Sequence, residues 1–296
     1  MSTLSDHDLA FIDHHFAAEP DWDKPTSVRF DKQIVTRWYP RTGKFIVCKN
    51  GKRGQGYTWY RSDAVVGTLT TKPIIKYIDK RRFATARELA AYQGIPDSYI
   101  LPKRGYIKLL GNAVSVPVAA WAVARTIGEG PPPATFIDLC AGMGGFHLAA
   151  ERAAPAAECV GYSEIMRTAV RSYETNFPGV PALGDLTRLQ EIPEADLVVG
   201  GFPCQPFSMS MMMEGAHPKR GMFEHVLRVV KQSGARYVVL ENVPNIRRTG
   251  ADVLESVVTS LEGLGFEVEQ KVLNSADFGL RQRRRRLYIM ARRVSI

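Results

Sequence analysis

The stretch that decides the fold is FIDLCAGMGG, residues 136–145. Its first half is apolar enough to form a buried strand, and three glycines follow within four positions. Glycine lets the backbone turn tightly and approach a ligand without a clash from a Cβ atom. A strand, a glycine-rich turn and a helix in this order predict one unit of an open α/β sheet. Such turns also occur for purely structural reasons.

Apolar runs alternate with helical stretches on the C-terminal side of this unit. This alternation predicts an α/β fold with a doubly wound, mostly parallel sheet. We expect its strands at Thr135–Leu139, Glu158–Tyr162, Asp196–Gly200, Tyr237–Leu240, Phe266–Leu273 and Leu287–Ala291.

Acidic residues follow two of the next apolar runs. Glu164 ends the second predicted strand, and Asp185 follows the short run 182–184. An acid at the carboxyl end of a parallel strand can accept hydrogen bonds from ribose hydroxyls, and Asp185 is placed to meet an adenine amino group. Either acid alone is better explained as a surface charge or a helix cap. Together with the glycine-rich turn they indicate a nucleoside cofactor.

A thiol and a carboxyl group are expected at the same edge of the sheet. Pro203-Cys204-Gln205 follows the run 195–201, and Glu241-Asn242-Val243 follows the run 237–240. A nucleophile beside an acid is typical of an enzyme that forms a covalent intermediate. The alternatives are a buried structural cysteine for Cys204 and a helix cap for Glu241.

Composition limits the remaining classes of function. The chain has 296 residues, 45% of them hydrophobic, and a net charge of +9. It is therefore expected to fold, and the positive charge favours a polyanionic partner. We expect no apolar run to span a membrane, which takes about 20 residues. The four cysteines form no CxxC pair, so we expect no metal, no disulfide framework and a reducing cytoplasm.

Residues before the Gly/Pro-rich segment 128–134 differ in character from those after it. Residues 21–61 carry ten Lys and Arg against three Asp, interleaved with aromatic residues, which favours target recognition on a nucleic acid. The alternative is a small β-rich domain with a solvated basic face. Helices are expected at 85–93 and 116–127. The predicted division is 1–84 for recognition, 85–130 to complete the core, and 131–296 for catalysis.

The ordered blocks after residue 134 identify a family. FIDLCAGMGGF, GYSE, GDL, GGFPCQPFS, LENVP and DFGLRQRRRRLY together resemble the DNA cytosine-5 methyltransferases. Two further blocks that usually close such chains come before them here, as ARELAAYQGIPDSY (86–99) and GNAVSVPVAAWAVA (111–124). The chain is therefore similar to a circularly permuted member, with a Rossmann-like fold that uses S-adenosyl-L-methionine.

The resemblance implies a covalent mechanism. The Cys204 thiolate would add to carbon 6 of cytosine, carbon 5 would take the methyl group, and loss of the carbon 5 proton would expel the thiolate. Glu241 would hold the proton at ring nitrogen 3, and Arg286 would bind the 2-keto oxygen. The family pattern Gln-x-Arg-x-Arg makes Arg284 and Arg286 the matching catalytic positions. In an extended segment these two share a face, while Arg283 and Arg285 point the opposite way.

The same resemblance implies the binding residues. Cofactor contacts are expected from Phe136, Gly142, Gly144, Glu164, Ile165, Asp185, Pro203 and Asn112. Asn112 is equally explained as a turn residue, and Met166 departs from the acid common in the family. DNA contacts are expected from Ser208, Lys219, Arg220, Arg283 and Arg285. Residues 208–221 match a loop that closes over DNA and a flipped-out base; the alternative is a Met-rich turn packed on the protein itself.

The implied partner is double-stranded DNA, with no membrane, no metal and a monomer favoured. We therefore predict a DNA cytosine carbon-5 methyltransferase, of a bacterial or phage modification system. The alternatives are a tRNA cytosine methyltransferase and a catalytically silent DNA-binding subunit.

Overall fold

A seven-stranded sheet between residues 135 and 293 is the frame of the protein in the computed structural model. The structure describes residues 26–30, 33–37, 45–49, 57–61, 65–71, 75–77, 82–202 and 221–294. For the strands before residue 65, and for 75–77 and 82–83, only the backbone path is described. A short amphipathic helix is expected from the sequence at residues 1–19, and a hairpin turn at 49–52; the first lies wholly and the second mostly outside the described residues.

The strands are numbered along the chain. They are β1 Thr26–Phe30, β2 Gln33–Arg37, β3 Phe45–Lys49, β4 Tyr57–Arg61, β5 Val66–Gly67, β6 Ile75–Tyr77, β7 Arg82–Phe83, β8 Thr135–Leu139, β9 Glu158–Ser163, β10 Ala182–Gly184, β11 Leu197–Gly200, β12 Tyr237–Asn242, β13 Phe266–Asn274, β14 Gln282–Arg283 and β15 Arg285–Arg293. The helices are α1 Ala86–Ala91, α2 Tyr106–Asn112, α3 Val116–Ile127, α4 Gly145–Ala153, α5 Arg167–Asn176, α6 Gly221–Gln232, α7 Ile246–Thr249 and α8 Ala251–Gly263, followed by a 3₁₀ turn at Ser275–Phe278.

The large sheet has the strand order β10-β9-β8-β11-β12-β15-β13. Its first five strands are parallel, and β15 runs antiparallel to both of its neighbours. The predicted mostly parallel α/β sheet is confirmed, with each predicted strand found within a few residues of its expected ends. The carboxyl ends of the five parallel strands meet at one edge, called the carboxyl edge below. The opposite one is the amino edge.

Helices cover both faces of this sheet because the side chains of its central strands are apolar on both faces. Ile137 and Leu139 of β8 pack in the cluster that contains Val229 of α6 and Val257 of α8. Phe136 packs on the other face in the cluster built by α3 and α4. Burial of these strands is complete or nearly so, which explains why they are continuous apolar runs rather than alternating ones.

Helices α1 to α3 belong to this core although they precede β8 in the chain. Thr85 caps α1 in a capping box with Glu88, in which each side chain accepts a hydrogen bond from the other residue's backbone. Helix α3 packs on α4 and β15 and ends at Gly128, whose φ is 56°. The helices predicted at 85–93 and 116–127 are both present.

One apolar stretch is long enough to cross a membrane by length and composition alone, which corrects the expectation that no such run exists. It is Tyr106–Ile127, with a hydropathy of 1.5. In the structure this stretch is divided between α2 and α3, and 67% of the apolar window is buried inside the protein. Packing against the sheet accounts for its apolar composition.

The basic N-terminal region contributes a second sheet with the order β1-β2-β4-β3-β6-β7. Neighbouring strands are antiparallel except β2 and β4. Strand β5, which follows β4 in the chain, leaves this region and pairs in parallel with β14 of the C-terminal region. Residues 65–71 therefore connect the N-terminal sheet to the segment 281–286, which is rich in arginine.

Candidate active site

Five strand ends meet at the carboxyl edge, and four of them bring a thiol or a carboxyl group there. The residues that follow or end β8, β9, β10, β11 and β12 are Cys140, Glu164, Asp185, Gly201 and Glu241. Pro203, Cys204, Ser208, Lys219 and Arg220 lie outside the described residues, so their predicted roles stay predictions. The last described residues before them, Gly201 and Phe202, continue directly from β11.

Glu241 and Arg286 form an ion pair at this edge. Glu241 Oε1 lies 2.8 Å from Arg286 Nε, with side chains only 11% and 17% exposed. The contact is a close approach of charges rather than an aligned hydrogen bond, since Oε1 has no partner of good geometry. A Cβ atom on Gly201 would lie 3.7 Å from the other carboxylate oxygen. The carboxylate therefore sits beside the backbone that leads into Pro203-Cys204-Gln205.

Asn242 ties the end of β12 to the same backbone. Its Nδ2 donates to the Phe202 carbonyl at 3.4 Å, and its Oδ1 accepts from Val243 N at 2.8 Å. Asn242 is 1% exposed, so these bonds satisfy an amide that would be costly to bury unpaired. No role was predicted for this residue from the sequence, although its place directly after Glu241 was the available signal.

The glycine-rich turn is open at one glycine and packed at another. Gly142 has a φ of 58°, and a Cβ there would meet no atom within 4 Å, so this part of the turn faces free space. Gly144 has a φ of 84°, and a Cβ there would clash with the Phe177 ring. Gly142 therefore has the geometry expected of a ligand-facing glycine, whereas Gly144 is required for packing.

Cys140 starts this turn in a conformation that favours glycine. Its φ is 52°, and it is the only non-glycine residue with a positive φ in the part of the chain that the structure describes. Burial and the negative charges of Glu164, Asp138 and Asp185 raise the pKa of its thiol to about 12. Cys140 is therefore a thiol at neutral pH, held close to the predicted cofactor acids.

Glu164, directly after β9, binds the backbone of the glycine-rich turn. Its Oε2 accepts from Gly142 N at 2.9 Å, and its Oε1 accepts from Ile165 N and Met166 N at 2.8 Å each. The next side chain, Ile165, is 73% exposed at the rim. Glu164 thus has a structural function at the position predicted for ribose binding, beside an apolar surface suited to a flat ring.

Asp185 follows β10, the outermost of the parallel strands. Its Oδ1 accepts from Thr187 Oγ1 at 2.8 Å and from Thr187 N at 2.9 Å. These hydrogen bonds lower the pKa of Asp185, so its carboxylate is charged at neutral pH. Its other oxygen is 3.8 Å from Arg188 Nε.

Beneath the turn lies a buried polar group that was not singled out from the sequence. Asp138 is fully buried, and neither carboxylate oxygen makes a well-formed hydrogen bond. Burial raises the pKa of Asp138 well above its usual range, opposed only in part by the His147 backbone. His147, also buried, contacts the Tyr173 hydroxyl through Nδ1 at 2.7 Å, and burial lowers its pKa to about 4.

The Gln-x-Arg-x-Arg segment alternates as an extended chain should. Gln282 and Arg284 are buried and Arg286 is half-buried, whereas Arg283 and Arg285 are exposed. Gln282 Oε1 accepts from Leu69 N at 2.7 Å, and Gln282 Nε2 donates to the Tyr92 carbonyl at 2.8 Å. The predicted division by parity is confirmed.

Arg284 does not reach the Glu241 carboxylate. Its Nη1 donates to the carbonyls of Leu69 at 3.2 Å and Gly111 at 3.1 Å. These contacts join the segment after the N-terminal sheet to α2 and to the Arg-rich strand. The catalytic role predicted for Arg284 stays a prediction, and of the pair it is Arg286 that forms an ion pair with Glu241.

The block GNAVSV lies between the two turns of the carboxyl edge. A Cβ on Gly145 would be 2.8 Å from Val114 Cγ2, and one on Gly201 would be 3.9 Å from Val114 Cγ1. Asn112 ends α2 on this side and is exposed. Residues far apart in the chain are thus brought to one site.

Comparison with known proteins shows which family the chain belongs to. The sequence pattern described as C-5 cytosine-specific DNA methylase matches residues 134–296, more than half of the chain. The chain belongs to the C-5 cytosine-specific DNA methylase family. The blocks at 86–99 and 111–124 lie outside the matched region.

Individual relatives are identical to this chain at about two-fifths of the matched residues. The type II methyltransferase M.HhaI of Haemophilus parahaemolyticus is 40% identical over 159 residues, covering 52% of this chain and 48% of that protein. M.MspI of Moraxella sp. is 38% identical over 161 residues, covering 53% and 38%. The chain thus spans less than half the length of these relatives. The solved structure of the Entamoeba histolytica methyltransferase EhMeth has a TM-score of 0.46 at 21% identity, covering 54% and 53%.

One predicted cofactor residue of this DNA methylase family member is misplaced. Phe136 is 0% exposed in the core and packs edge-on against the His147 ring, so it does not line the carboxyl edge. Helices cover both faces of β8, so the Phe136 side chain points into the core rather than toward the end of the strand. Cys140 occupies the strand end instead. Within the described ranges, no group of three or more His, Cys, Asp or Glu is arranged to hold a metal ion.

Proposed function

We propose that this protein transfers a methyl group from S-adenosyl-L-methionine to carbon 5 of cytosine in double-stranded DNA. The observation that carries the proposal is the Glu241–Arg286 pair, 2.8 Å apart and beside Gly201, two residues before Pro203-Cys204-Gln205. Membership of the C-5 cytosine-specific DNA methylase family supports the same reaction.

The residues around the glycine-rich turn fit the proposed cofactor. The open side of Gly142 leaves room for a ligand, and the exposed Ile165 offers an apolar platform for adenine. Glu164 and Asp185 supply acceptors for ribose and the adenine amino group, and Asn112 and Pro203 complete the proposed set. When bound, S-adenosyl-L-methionine would supply an electrophilic methyl group.

The chain's own groups would activate the base. The Cys204 thiolate would add to carbon 6, and the electron pair would move toward carbon 5 and ring nitrogen 3. Glu241 would hold the proton at ring nitrogen 3, while Arg286 would donate to the 2-keto oxygen and keep Glu241 correctly placed. Once carbon 5 carries the methyl group, loss of its proton to water would break the bond between carbon 6 and sulfur, release the thiolate and restore the ring.

We propose that the chain is a circular permutant, divided at 1–84, 85–130 and 131–296. The packing of Val114 against two later segments, at Gly145 and Gly201, supports this, since residues 86–127 complete the core of the later domain. A short linker suffices because α3 ends at the amino edge, where β8 begins. There Tyr237 Oη donates to the Pro131 carbonyl at 2.8 Å, and Ala134 N donates to Asp196 Oδ2 at 2.7 Å.

DNA would be held by groups around the carboxyl edge. Ser208, Lys219 and Arg220 are proposed to contact the backbone from the loop that closes over the flipped-out base. The exposed Arg283 and Arg285 are proposed phosphate contacts on the face opposite Arg284 and Arg286. The basic N-terminal region is proposed to read the target bases, in a modification system with or without a cognate nuclease.

The proposal is tested with labelled S-adenosyl-L-methionine and, separately, duplex DNA and tRNA. Label is expected in DNA; label only in tRNA would instead support an RNA methyltransferase. A duplex with 5-fluorocytosine should trap a covalent adduct, because the fluorine cannot leave as a proton does. Cys204→Ala should form no adduct, whereas Cys159→Ala, a change at a buried cysteine of β9, should retain it. A native protein that binds DNA without transfer or adduct would be a silent DNA-binding subunit.

A further inference from the structure

We propose that five exposed cations beside the carboxyl edge bind the phosphate backbone of DNA flanking the target base. This surface, called the flanking ridge, consists of Lys103, Arg104, Lys108, Arg167 and Arg171. The inference rests on the proposed function, and it concerns residues other than the proposed reactive groups and other than those of the basic N-terminal region.

The ridge is built where one segment lies along α5. Ile100 N donates to Asn176 Oδ1 at 2.7 Å, and Asn176 Nδ2 donates back to the Ile100 carbonyl at 3.0 Å. At the other end, a Cβ on Gly105 would lie 3.8 Å from Thr168 Cγ2. Residues 100–105 therefore run along the whole of α5, from its last residue to its first turn. This brings Lys103 and Arg104 beside the cations of α5.

The positive charge of the ridge is not neutralised by the protein. In the part of the chain that the structure describes, no carboxylate lies within 4.0 Å of any of the five cations. The carboxylates of the neighbouring elements are engaged elsewhere: Glu164 accepts from three backbone N–H groups, and Glu174 accepts from the Tyr162 hydroxyl at 3.2 Å. By contrast, Arg236 and Arg292 at the amino edge are each paired with a carboxylate.

Arg167 shows that the ridge is not explained by helix stability. It is the first residue of α5, where the helix dipole is positive and a cation is unfavourable by a few tenths of a kcal/mol. The first turn of α5 contains no acid to offset it. A cation kept at an unfavourable position is best explained by an external anion.

The ridge is within reach of a duplex that presents its target base to Glu241. Helix α5 starts just after β9, and β9 is separated from β12 by three strand spacings in the order β9-β8-β11-β12. At about 4.8 Å per spacing this is about 14 Å. Duplex DNA rises about 3.4 Å per base pair, so the ridge would meet phosphates roughly four base pairs from the target.

Phosphate is the anion that this chemistry favours. Lys and Arg side chains that are solvated and spaced along one helix match repeated charges, and such contacts add affinity without reading sequence. We therefore expect the ridge to act on any flanking sequence, and its contribution to weaken as salt concentration rises.

The test compares two triple variants of the full-length protein that lose the same charge. The ridge variant is Arg104→Gln/Arg167→Gln/Arg171→Gln. The control variant is Arg125→Gln/Arg152→Gln/Lys231→Gln, whose three cations are exposed at helix ends near the amino edge. Of these, Arg125 is paired with Glu269 Oε2 at 3.1 Å. Fluorescence anisotropy would measure binding of each protein to a duplex of about 30 base pairs over a range of NaCl concentrations.

For the ridge variant, the slope of log affinity against log salt should shrink by about 0.9 for each phosphate that is no longer neutralised, up to about 2.7. Its affinity near 0.1 M salt should fall at least tenfold relative to the control variant. Equal slopes and affinities for the two variants would overturn the proposal and leave the ridge for an acidic protein partner. If the native protein methylates DNA but the two variants have the same salt slope and affinity, only this inference fails. If the native protein neither binds nor methylates DNA, the proposed function fails as well.

Discussion

Asp196 at the amino edge and Glu241 at the carboxyl edge of the large sheet differ in how fully the protein satisfies their hydrogen-bonding capacity. At the amino edge, Asp196 Oδ1 accepts from Arg236 Nε and Nη2 at 2.9 and 2.7 Å, and Oδ2 accepts from Ala134 N. At the carboxyl edge, Glu241 contacts Arg286 without an aligned hydrogen bond, and Asp138 has no well-formed one. Asp196, which stabilises the fold, is satisfied by the protein, whereas Glu241, the proposed reactive carboxylate, keeps an oxygen with hydrogen-bonding capacity for a ligand.

A cleft on the amino edge reinforces this difference. It has a volume of about 480 Å³ and is lined by Arg236, Arg292 and Arg293 among others. Arg293 donates to the carbonyls of Ala235 at 3.2 Å and Leu264 at 3.0 Å. Because its arginines already bind protein groups, cavity size alone is a poor guide to the site in this protein.

The largest expected effect comes from the carboxyl edge. Glu241→Gln removes the charge beside Arg286 and the group proposed to hold the proton at ring nitrogen 3. The rate of methyl transfer in a single turnover should fall by about 10²–10⁴-fold. Glu267→Gln, which removes an exposed carboxylate paired with Arg292 at the amino edge, should leave that rate unchanged. A Glu241→Gln rate within threefold of native would contradict the difference between the edges.

Arg284→Leu should act on stability more than on chemistry. The substitution leaves the buried carbonyls of Leu69 and Gly111 without their donor and should cost about 3 kcal/mol of unfolding free energy. Arg286→Leu should instead slow methyl transfer with a smaller loss of stability. Urea unfolding and single-turnover rates of both variants would check this. The reverse ordering would return Arg284 to the reaction.

Protonation should destabilise the region beneath the carboxyl edge at mildly acidic pH. Burial lowers the pKa of His147 from 6.5 to about 4, so below pH 6.5 the unfolded chain binds a proton that the folded protein does not. This contribution is complete above pH 6.5 and falls by about 3 kcal/mol as the pH drops to 4.

His147→Gln removes this titration while keeping a polar side chain. The difference in unfolding free energy between native protein and variant should therefore shrink as the pH falls from 7.5 to 4.5. Asp138 is present in both proteins, so its own titration largely cancels. A difference that does not depend on pH would mean that folding leaves the pKa of His147 unchanged. A difference that grows as the pH falls would mean that protonated His147 pairs with Glu151 Oε1, which lies 3.3 Å from Nε2.

Asp196→Ala should weaken the amino edge without altering catalysis. The variant loses the bonds from Arg236 and Ala134, and its unfolding free energy should fall by about 2 kcal/mol. The rate per folded molecule should match that of the native protein. A reduced rate at full folding would show that the linker 128–134 influences the distant edge.

The smallest effect is expected at Cys140. Cys140→Gly relieves a side chain held at a φ of 52°, which should raise the unfolding free energy by up to about 1 kcal/mol after the entropic cost of glycine. Cys140→Ala keeps a Cβ atom and should show no such gain. Thermal unfolding of both variants measures the difference, and a less stable glycine variant would mean that packing of the thiol outweighs the strain.

These two edges also separate what was predictable from what was not. The strands of the sheet were predictable because a strand buried on both faces is a continuous apolar run, as in Val198 and Val199. Glu241 was predictable because it directly follows such a run, and the carboxyl ends of parallel strands meet at one edge. Arg286 was singled out by its spacing from Gln282, and the burial alternation then separated it from Arg285.

The bonds of Gln93, Gln282 and Arg284 were not predictable. Gln93 is 0% exposed and donates to the Leu110 carbonyl at 2.8 Å, while its Oε1 accepts from Ser115 Oγ at 3.1 Å and Gln282 Nε2 at 3.2 Å. A glutamine in a sequence is equally consistent with a solvated surface. Its partners come from three separate segments, and only packing brings those segments together.

By itself, the sequence determined the parallel α/β sheet, the carboxyl edge as the place of the polar groups, and the likeness to a methyltransferase family. These follow from local patterns: apolar runs, glycine-rich turns and the residues directly after each strand. Only the tertiary structure decided that Arg286 rather than Arg284 meets Glu241, that Phe136 is buried, and that Val114 lies between two distant turns. Such outcomes depend on which side chains from remote segments share one small volume, and no local pattern encodes that choice.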